Sequence, residues 1–406
     1  MAKLLIVFIS FLCVLNANGN VFSNIPTAKI EVINLNPTPC EKSCLKDLAK
    51  KQKVFSFIAR FDKKVEDEYL QNVMLDYTKQ VGVYYKVRFD LLEDKLEVAL
   101  LIPKKTIGKY STTTIDTILS YLAFRDIDFK FKVFDSVDEN AESITNAINA
   151  LKNERFSFVI AILSKEDNLP ILQNLQLPIY IPTLKKPQNW DENSNNHIVF
   201  GGIDYESQID LLLQEANQKN IISYNDDSTL GAMIGHILED KVKEANKFNF
   251  IKEVVTNKDA TNFSHNLERR KNHINTSNVF LNTRVIISGL LLSQIGILKE
   301  MPDLIFSTQV NYNPAILSLL RGINTKNLII ANSIGETNDN LLEYGYLLSS
   351  DLKYDWVNYS TALGMDLFLS QMKENIERYF SEEIKQGQVL YKTNLYGIEN
   401  DIFVKH

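Results

Sequence analysis

The clearest pattern in the chain lies at residues 95–136, which read KLEVALLIPKKTIGKYSTTTIDTILSYLAFRDIDFKFKVFDS. Residues 96–102 form a short, mostly apolar run, the pattern of a strand buried on both faces. Pro103 and a later Ser/Thr cluster interrupt this run. Apolar residues then recur at the spacing of one helical face, at Ile115, Ile118, Leu119 and Leu122. Residues 129–134 begin with the alternation of a strand, so the segment predicts a strand, a helix and a second strand.

The same order of elements continues as far as residue 217. The further predicted strands are residues 156–163, 179–182 and 198–202. The predicted helices are residues 112–124, 140–153, 166–174 and 205–217. Strands that alternate with helices favour a parallel sheet with right-handed crossover connections.

The alternation starts again after Asn217. The second set of predicted strands is residues 221–225, 250–256, 279–282, 303–308 and 328–331. Its predicted helices are residues 228–242, 314–321, 338–348 and 355–373, and residues 388–393 and 401–405 are predicted to form a closing hairpin. A chain of 406 residues is long enough for two such units, so we predict an α/β fold with two lobes of parallel sheet flanked by helices.

The uncharged segment at residues 285–298, VIISGLLLSQIGIL, has two interpretations. It is either a buried helix of the second lobe or an exposed apolar surface used by a partner.

Residues 20–92 predict a separate small α/β unit that precedes the two lobes. Its predicted strands are residues 29–35, 54–61 and 83–89, and its predicted helices are residues 41–51 and 65–80. The charged residues at positions 93–95 are a plausible boundary with the first lobe.

The first 19 residues have the pattern of a signal peptide. Lys3 supplies a positive charge, residues 4–15 an apolar core, and Ala17, Asn18 and Gly19 a small-residue cleavage site. The apolar core is shorter than the roughly 20 residues that span a bilayer. We therefore predict an exported, periplasmic protein cleaved near Gly19, without a transmembrane span afterwards; a retained membrane anchor is the alternative.

Composition and motifs exclude several classes of function. A net charge of −6 argues against a nucleic-acid partner, which requires a basic face. The five histidines show no metal-ligand spacing, and neither a nucleophile elbow nor a phosphate-binding loop occurs. We therefore predict no metal, no cofactor and no catalytic residues. An envelope hydrolase with a pair of carboxylates is the alternative, although nothing in the sequence indicates such a pair.

Cys40 and Cys44 lie in the sequence PCEKSC and remain after removal of the signal peptide. In an oxidising compartment a pair at this spacing is expected to form a disulfide. Four residues apart at a helix start, their Cα atoms are separated by about the 6 Å that a disulfide accepts. A redox role is the alternative, although it more typically uses a two-residue gap.

Residues 200–231, FGGIDYESQIDLLLQEANQKNIISYNDDSTLG, resemble the passage between lobes in type I periplasmic binding proteins. In that family a strand ends in an Asp, a Gln follows on a helix, and a Tyr/Gly-containing turn opens the second lobe. The matching residues here are Asp204, Gln208, Tyr224 and Gly231. We interpret Asp204 and Gln208 as residues that cap and brace the crossover between lobes. Residues 177–184 and 303–334 are similar to the family's cleft strand and to its return from lobe two.

The resemblance implies lobe one at residues 93–205, lobe two at 206–322, a return to lobe one at 323–385, and a C-terminal hairpin or tail at 386–406. In amino-acid receptors of the family, hydroxyl and backbone N–H groups at strand ends grip the ligand carboxylate, and an acidic residue holds the ammonium. The corresponding cleft candidates are Ser164, Thr183, Tyr224, Asp226 and Gln309. Alternatively, these are ordinary loop residues in a cleft that binds nothing.

Residues 359–369, YSTALGMDLFL, resemble a late helix in the type I domain of lipoproteins that activate penicillin-binding proteins. We therefore expect a non-catalytic protein of the bacterial envelope whose scaffold is an interaction or regulatory module in cell-wall or envelope assembly. Its partner would be another envelope protein. The alternative is a receptor that closes on an amino acid or similar small polar ligand and feeds a transporter or sensor.

Overall fold

A computed structural model describes residues 40–61, 65, 67–85, 96–108, 110–191, 197–298, 300–372 and 376–406. The chain divides into two compact units, Met1–Asp94 and Lys95–His406. The predicted signal peptide and the predicted strand at residues 29–35 lie outside the described residues. No helix among the described residues is long and apolar enough to cross a membrane.

The described part of the first unit is helical. It contains α1 (Lys42–Lys50), α2 (Val54–Arg60) and α3 (Glu68–Tyr85). Leu45, Phe57 and Leu70 form its core together with their apolar neighbours. The predicted disulfide between Cys40 and Cys44 is confirmed, with its Cα atoms 5.2 Å apart at the start of α1.

Two predicted strands in this unit are wrong within the described residues. Residues 54–60 form α2, and Phe61 ends it, because the buried and half-buried apolar side chains recur at the spacing of a helical face, as Val54, Phe57, Ile58 and Phe61. Residues 83–85 continue α3, and the rest of the predicted strand at 83–89 lies outside the described residues.

The second unit contains strands and helices in regular alternation. The strands are β1 (Leu96–Ile102), β2 (Phe129–Asp135), β3 (Phe158–Ala161), β4 (Ile179–Ile181), β5 (Ile198–Phe200), β6 (Asn220–Asp226), β7 (Asn249–Val255), β8 (Ser277–Asn282), β9 (Ile305–Ser307), β10 (Leu328–Asn332), β11 (Glu383–Lys385), β12 (Gln388–Leu390), β13 (Asn394–Glu399) and β14 (Ile402–Lys405). The helices are α4 (Lys104–Ile107), α5 (Tyr110–Arg125), α6 (Ala141–Lys152), α7 (Leu169–Leu172), α8 (Tyr205–Glu215), α9 (Thr229–Ala245), α10 (Asn257–Thr261), α11 (Ser264–Ile274), α12 (Val285–Ile295), α13 (Pro314–Leu319), α14 (Asp339–Leu347) and α15 (Trp356–Met372).

These strands form two sheets, one in each lobe. The sheet of lobe one has the order β11-β12-β5-β4-β3-β1-β2, and the sheet of lobe two has the order β14-β13-β10-β9-β8-β6-β7. Strands β1 to β5 pair in parallel, and so do β6 to β10. The predicted two-lobed α/β fold is therefore confirmed.

Helices cover both faces of each sheet. In lobe one, α5 and α15 pack on one face and α6 and α7 on the other. In lobe two, α8 and α9 cover one face, and α10 to α13 cover the other. Helix α12, the apolar segment with two interpretations, buries Ile287, Leu291 and Ile295 in the lobe-two core, as expected of a buried helix.

The chain passes between the lobes three times. It crosses from β5 to α8, from β10 to α14, and from β12 to β13. Because β10 pairs with β9, residues 328–332 still belong to lobe two, beyond the predicted boundary at residue 322.

The C-terminal segment does not form the predicted single hairpin. Strand β12 pairs with β11 and extends the sheet of lobe one, whereas β14 pairs with β13 and extends the sheet of lobe two. The prediction was wrong because both stretches have strand-like sequence, and sequence alone does not specify that they join different sheets.

Candidate functional site

A cavity of about 660 Å³ lies between the two lobes of the second unit. Its walls are mostly aromatic and aliphatic, and its aromatic lining residues are Tyr110, Tyr205, Tyr312, Tyr354 and Trp356. Among the lining residues that the structure describes, Asp355 is the one with a charged side chain. Cavities of this size and composition are typical of small-molecule sites, which makes the cleft the first place to test for a ligand.

Three of the five predicted cleft residues line this cavity: Ser164, Thr183 and Gln309. Ser164 follows β3, Thr183 follows β4, and Gln309 follows β9. All three lie beyond the carboxyl ends of parallel strands, where open α/β sheets bind their ligands.

The hydrogen-bonding groups of Ser164 are engaged by Glu139, which follows β2. Glu139 Oε1 accepts from the backbone N–H groups of Ser164 (2.7 Å) and Lys165 (2.9 Å), and Glu139 Oε2 accepts from the Ser164 hydroxyl (2.5 Å). The Asn168 amide donates to the backbone carbonyl of Glu139 at 2.8 Å. Glu139 is only 8% exposed, so an internal carboxylate occupies this strand end.

The hydroxyl of Thr183 is also bonded within the protein. It donates to the backbone carbonyl of Leu163 at 2.5 Å and accepts from the backbone N–H of Leu163 at 3.2 Å. Both bonds join the segments that follow the neighbouring strands β3 and β4, so Thr183 fixes the edge of the cleft.

Gln309 takes part in a buried network at the crossovers. Its side-chain oxygen accepts from Gln208 Nε2 at 3.1 Å and from the N–H of Ser333 at 2.9 Å. Gln208 Nε2 also donates to the Ser333 hydroxyl, which lies 2.9 Å from the hydroxyl of Thr393. Gln208, predicted to brace the crossover, therefore contacts the segments that connect the lobes.

Tyr224 and Asp226 do not line the cavity. Tyr224 is fully buried in lobe two, where its ring packs edge-on against Phe263 with a centroid distance of 5.0 Å. Asp226 is buried as well and accepts hydrogen bonds from Ser228 and from the backbone and side chain of Arg284. Burial opposes ionisation, but these bonds hold the pKa of Asp226 below its usual value. The predicted role of both residues in the cleft is corrected accordingly, because each is enclosed by lobe-two neighbours.

Asp204 caps the first helix of lobe two. Its carboxylate accepts from the N–H of Ser207 at 3.3 Å and from the Ser207 hydroxyl at 2.7 Å. Lys185 Nζ donates to the same carboxylate at 2.8 Å. Burial raises the pKa of Asp204, but Lys185 and Ser207 together bring it below its usual value.

No cluster of three or more His, Cys, Asp or Glu side chains that could hold a metal ion occurs in the described parts of the chain.

Comparison with known proteins gives similarity of fold. No family model matches the sequence, and no curated protein matches it. Among solved structures, a putative branched-chain amino acid ABC transporter from Rhodospirillum rubrum matches with a TM-score of 0.58 at 10% identity, covering 77% of this chain and 100% of that one. A branched chain amino acid ABC transporter from Thermus thermophilus with bound valine matches with a TM-score of 0.56 at 11% identity, covering 78% and 96%. LpoA from Haemophilus influenzae matches with a TM-score of 0.51 at 9% identity, covering 90% and 71%.

The chain has the type I periplasmic-binding-protein fold. At identities this low, the similarity establishes the fold alone.

Within this type I fold, sequence reasoning missed two features of the cleft. One is Glu139, and the other is the aromatic wall that includes Tyr110, Tyr205 and Trp356. Glu139 could have been found, because it also follows a predicted parallel strand and so lies at the ligand-binding edge of the sheet. The aromatic residues gave no local signal, since they come from separate helices and loops.

Proposed function

We propose that this protein is a non-catalytic protein of the bacterial envelope whose type I scaffold serves as an interaction and regulatory module in cell-wall or envelope assembly. The observation that carries the proposal is that none of the five side chains predicted to bind a ligand is both in the cavity and free of hydrogen bonds to the protein. Ser164, Thr183 and Gln309 are bonded within the protein, and Tyr224 and Asp226 are buried outside the cavity. A receptor for a zwitterionic amino acid needs such groups directed at its ligand.

The connections between the lobes support the same proposal. Gln208, Ser333 and Thr393 link the three crossovers through buried or half-buried hydrogen bonds. The Tyr391 hydroxyl, in the third crossover, also donates to the carbonyl of Gly201 in the first at 2.7 Å. Closure on a ligand requires hinge residues to change backbone angles, and these bonds resist such a change. A scaffold that presents a fixed surface has no such requirement.

Comparison with LpoA from Haemophilus influenzae gives further support. The LpoA alignment covers 90% of this chain, more than the 77% covered by the Rhodospirillum rubrum transporter protein. The sequence resemblance at residues 359–369 points to the same group of proteins, and a predicted signal peptide would deliver the chain to the envelope.

The alternative is a solute receptor, favoured by the cavity of about 660 Å³ and by the similarity to the Thermus thermophilus protein with bound valine. Such a receptor would act by binding its ligand better in a closed than in an open arrangement of the lobes.

A thermal-shift screen of the full chain against amino acids, sugars and cell-wall fragments separates the two functions. A receptor gains about 2.7 kcal/mol at a hundredfold excess of ligand over its dissociation constant. We expect no compound to stabilise the wild-type chain to that extent. A saturable shift with an amino acid would overturn the scaffold proposal.

Capture from envelope extract tests the positive part of the proposal. We expect the wild-type chain to enrich enzymes of cell-wall synthesis. A Met233→Trp variant serves as the matched control, because Met233 is exposed in the cleft and the larger side chain would narrow the cavity without changing the buried core. Equal enrichment by both chains supports a scaffold, whereas loss with the variant would indicate that recognition depends on the cleft.

A further inference from the structure

The contact between Glu139 and the end of β3 has the composition of a complete carboxylate-binding site. Two backbone N–H groups converge on Oε1, and a hydroxyl donates to Oε2. Hydrogen bonds from neutral donors to a carboxylate are charge-assisted and about twice as strong as bonds between neutral groups. The donors come from Ser164 and Lys165. The carboxylate comes from a different loop, because Glu139 precedes Ser164 by 25 residues.

The loop that carries Glu139 has an unusual conformation. Val137 adopts a φ of +68°, in the left-handed region that β-branched residues rarely occupy. The Val137 N–H donates to the Asp135 carboxylate at 2.8 Å, and its carbonyl accepts from the N–H of Lys105 at 2.8 Å. A strained residue of this kind persists only where the surrounding bonds enforce it. Here the enforced loop directs the Glu139 side chain to the donors of Ser164.

We infer that Glu139 is an internal ligand: it fills a carboxylate-binding site at the end of β3, and this site accepts a small free carboxylate once the Glu139 side chain is removed. The site adjoins the cavity between the lobes, because Ser164 lines that cavity. A free carboxylate therefore has a route to it from the cleft.

The wild-type protein excludes such a ligand by proximity. A tethered carboxylate competes for the site at an effective concentration in the millimolar range or higher. A weakly binding free acid at a lower concentration therefore does not displace it. Glu139 is thus a specificity-determining residue, because it converts a strand end that could receive ligand carboxylates into a closed one.

Replacement of Glu139 by alanine gives a direct test with acetate as the probe. The substitution Glu139→Ala removes the side-chain atoms Cγ, Cδ, Oε1 and Oε2, and acetate has the same heavy atoms in the same arrangement. We expect Glu139→Ala to melt below the wild type, and acetate at about ten times its dissociation constant to raise the melting temperature by about 2 °C.

Three controls make the rescue specific. Acetamide has the shape of acetate without its charge, and sodium chloride at equal concentration matches its ionic strength. Glu142→Ala removes an exposed carboxylate three residues away, on α6. We expect neither acetamide nor chloride to raise the melting temperature of Glu139→Ala. We expect acetate to raise the melting temperature of neither the wild type nor Glu142→Ala.

A folded Glu139→Ala variant that responds to acetate no more than Glu142→Ala would overturn the inference. If the variant shows no cooperative transition in chloride, refolding yield is measured instead. Recovery with acetate but not with acetamide supports the site, and recovery with neither overturns it.

Rescue of the variant and ligand binding by the wild type are separate observations. A wild-type chain that binds amino acids would end the scaffold proposal yet leave the acetate result standing. A variant without rescue would remove the carboxylate site but leave the envelope function open.

Discussion

Gln208 and Gln309 hold each other by two hydrogen bonds in the buried region where the lobes are connected. Gln208 Nε2 donates to Gln309 Oε1 at 3.1 Å, and the backbone N–H of Gln309 donates to Gln208 Oε1 at 3.0 Å. The same Nε2 donates to the hydroxyl of Ser333 at 2.8 Å. One fully buried amide thus joins helix α8, the segment after β9 and the second crossover.

Replacing this amide by an apolar group should cost considerable stability. Gln208→Leu leaves the N–H of Gln309 without its acceptor in a buried site, and an unsatisfied buried group costs about 1–3 kcal/mol. We expect the free energy of unfolding in urea to fall by about 3 kcal/mol, since more than one bond is lost. The control is Gln214→Leu, an exposed position on the same helix, where a change within about 0.5 kcal/mol is expected. Equal losses at the two positions would contradict the role of the network.

Gly202, in the first crossover, has no space for a side chain. A Cβ there would lie 2.2 Å from the backbone carbon of Leu184 and from the backbone nitrogen of Lys185. Backbone atoms, unlike a flexible side chain, cannot rotate to relieve this clash. We therefore expect Gly202→Ala to lower the free energy of unfolding by about 3 kcal/mol.

Gly397 in β13 provides the matched comparison for this substitution. The nearest atom to a Cβ there is the Leu328 carbonyl oxygen, at 3.9 Å. Gly397→Ala should leave stability unchanged or raise it by about 0.5 kcal/mol through the lost backbone freedom of the unfolded chain. Chemical denaturation of both variants measures the difference, and a Gly202→Ala variant as stable as Gly397→Ala would show that the first crossover can move.

Asp366 on α15 is a buried carboxylate that fixes the segment after its own helix. It accepts from Arg125, from the Tyr121 hydroxyl at 2.8 Å, and from the backbone N–H groups of Tyr379 and Phe380. Its side chain is fully buried and that of Arg125 is 7% exposed. Sequence alone gave no way to choose between a buried and an exposed Asp366.

Removal of Arg125 should therefore be far more damaging than removal of a comparable surface arginine. Arg125→Met leaves a buried charge whose remaining cation among the described residues is Arg378 at 3.6 Å, and we expect a loss of about 3 kcal/mol. Arg321→Met breaks an Arg–Asp pair of 3.5 Å with Asp401 in which the side chains are 79% and 51% exposed. Such pairs contribute about 0–1 kcal/mol. Urea titration of both variants compares the two, and similar losses would contradict the importance of burial.

The sequence predicted the lobes well because their elements have local patterns. Buried parallel strands such as β1 are continuous apolar runs, and α5 carries an apolar stripe at helical spacing. These features depend on neighbouring residues alone, so most strands and helices along residues 96–372 agree with the predicted ones to within a few residues. Helices α4, α10 and α11 were not predicted.

The failures concern partners that are distant in sequence. Residues 54–61 combine strand-forming residue types with a helical stripe, and packing against α1 and α3 decides in favour of a helix. Strands β12 and β13 are adjacent in the chain but join different sheets. The contact of Glu139 with Ser164 depends on the left-handed conformation of Val137, which its residue type disfavours. Three of the predicted cleft residues, Ser164, Thr183 and Gln309, do reach the cavity but are bonded to the protein itself.

His197, beside the start of β5, should make stability dependent on pH. Burial lowers the pKa of its imidazole from the ordinary value of 6.5. A hydrogen bond with the Leu175 backbone raises the pKa, but the effect of burial is larger. The unfolded chain therefore binds a proton at His197 more readily than the folded one. The contribution of His197 to stability is fully present above pH 6.5 and is lost as the pH drops towards the folded-state pKa. We expect His197→Gln to flatten the fall in unfolding free energy between about pH 7 and pH 5. His236→Gln, at a side chain that is 70% exposed, should keep the wild-type slope. Urea titrations at successive pH values measure both variants, and a wild-type slope in His197→Gln would assign the pH dependence to other groups.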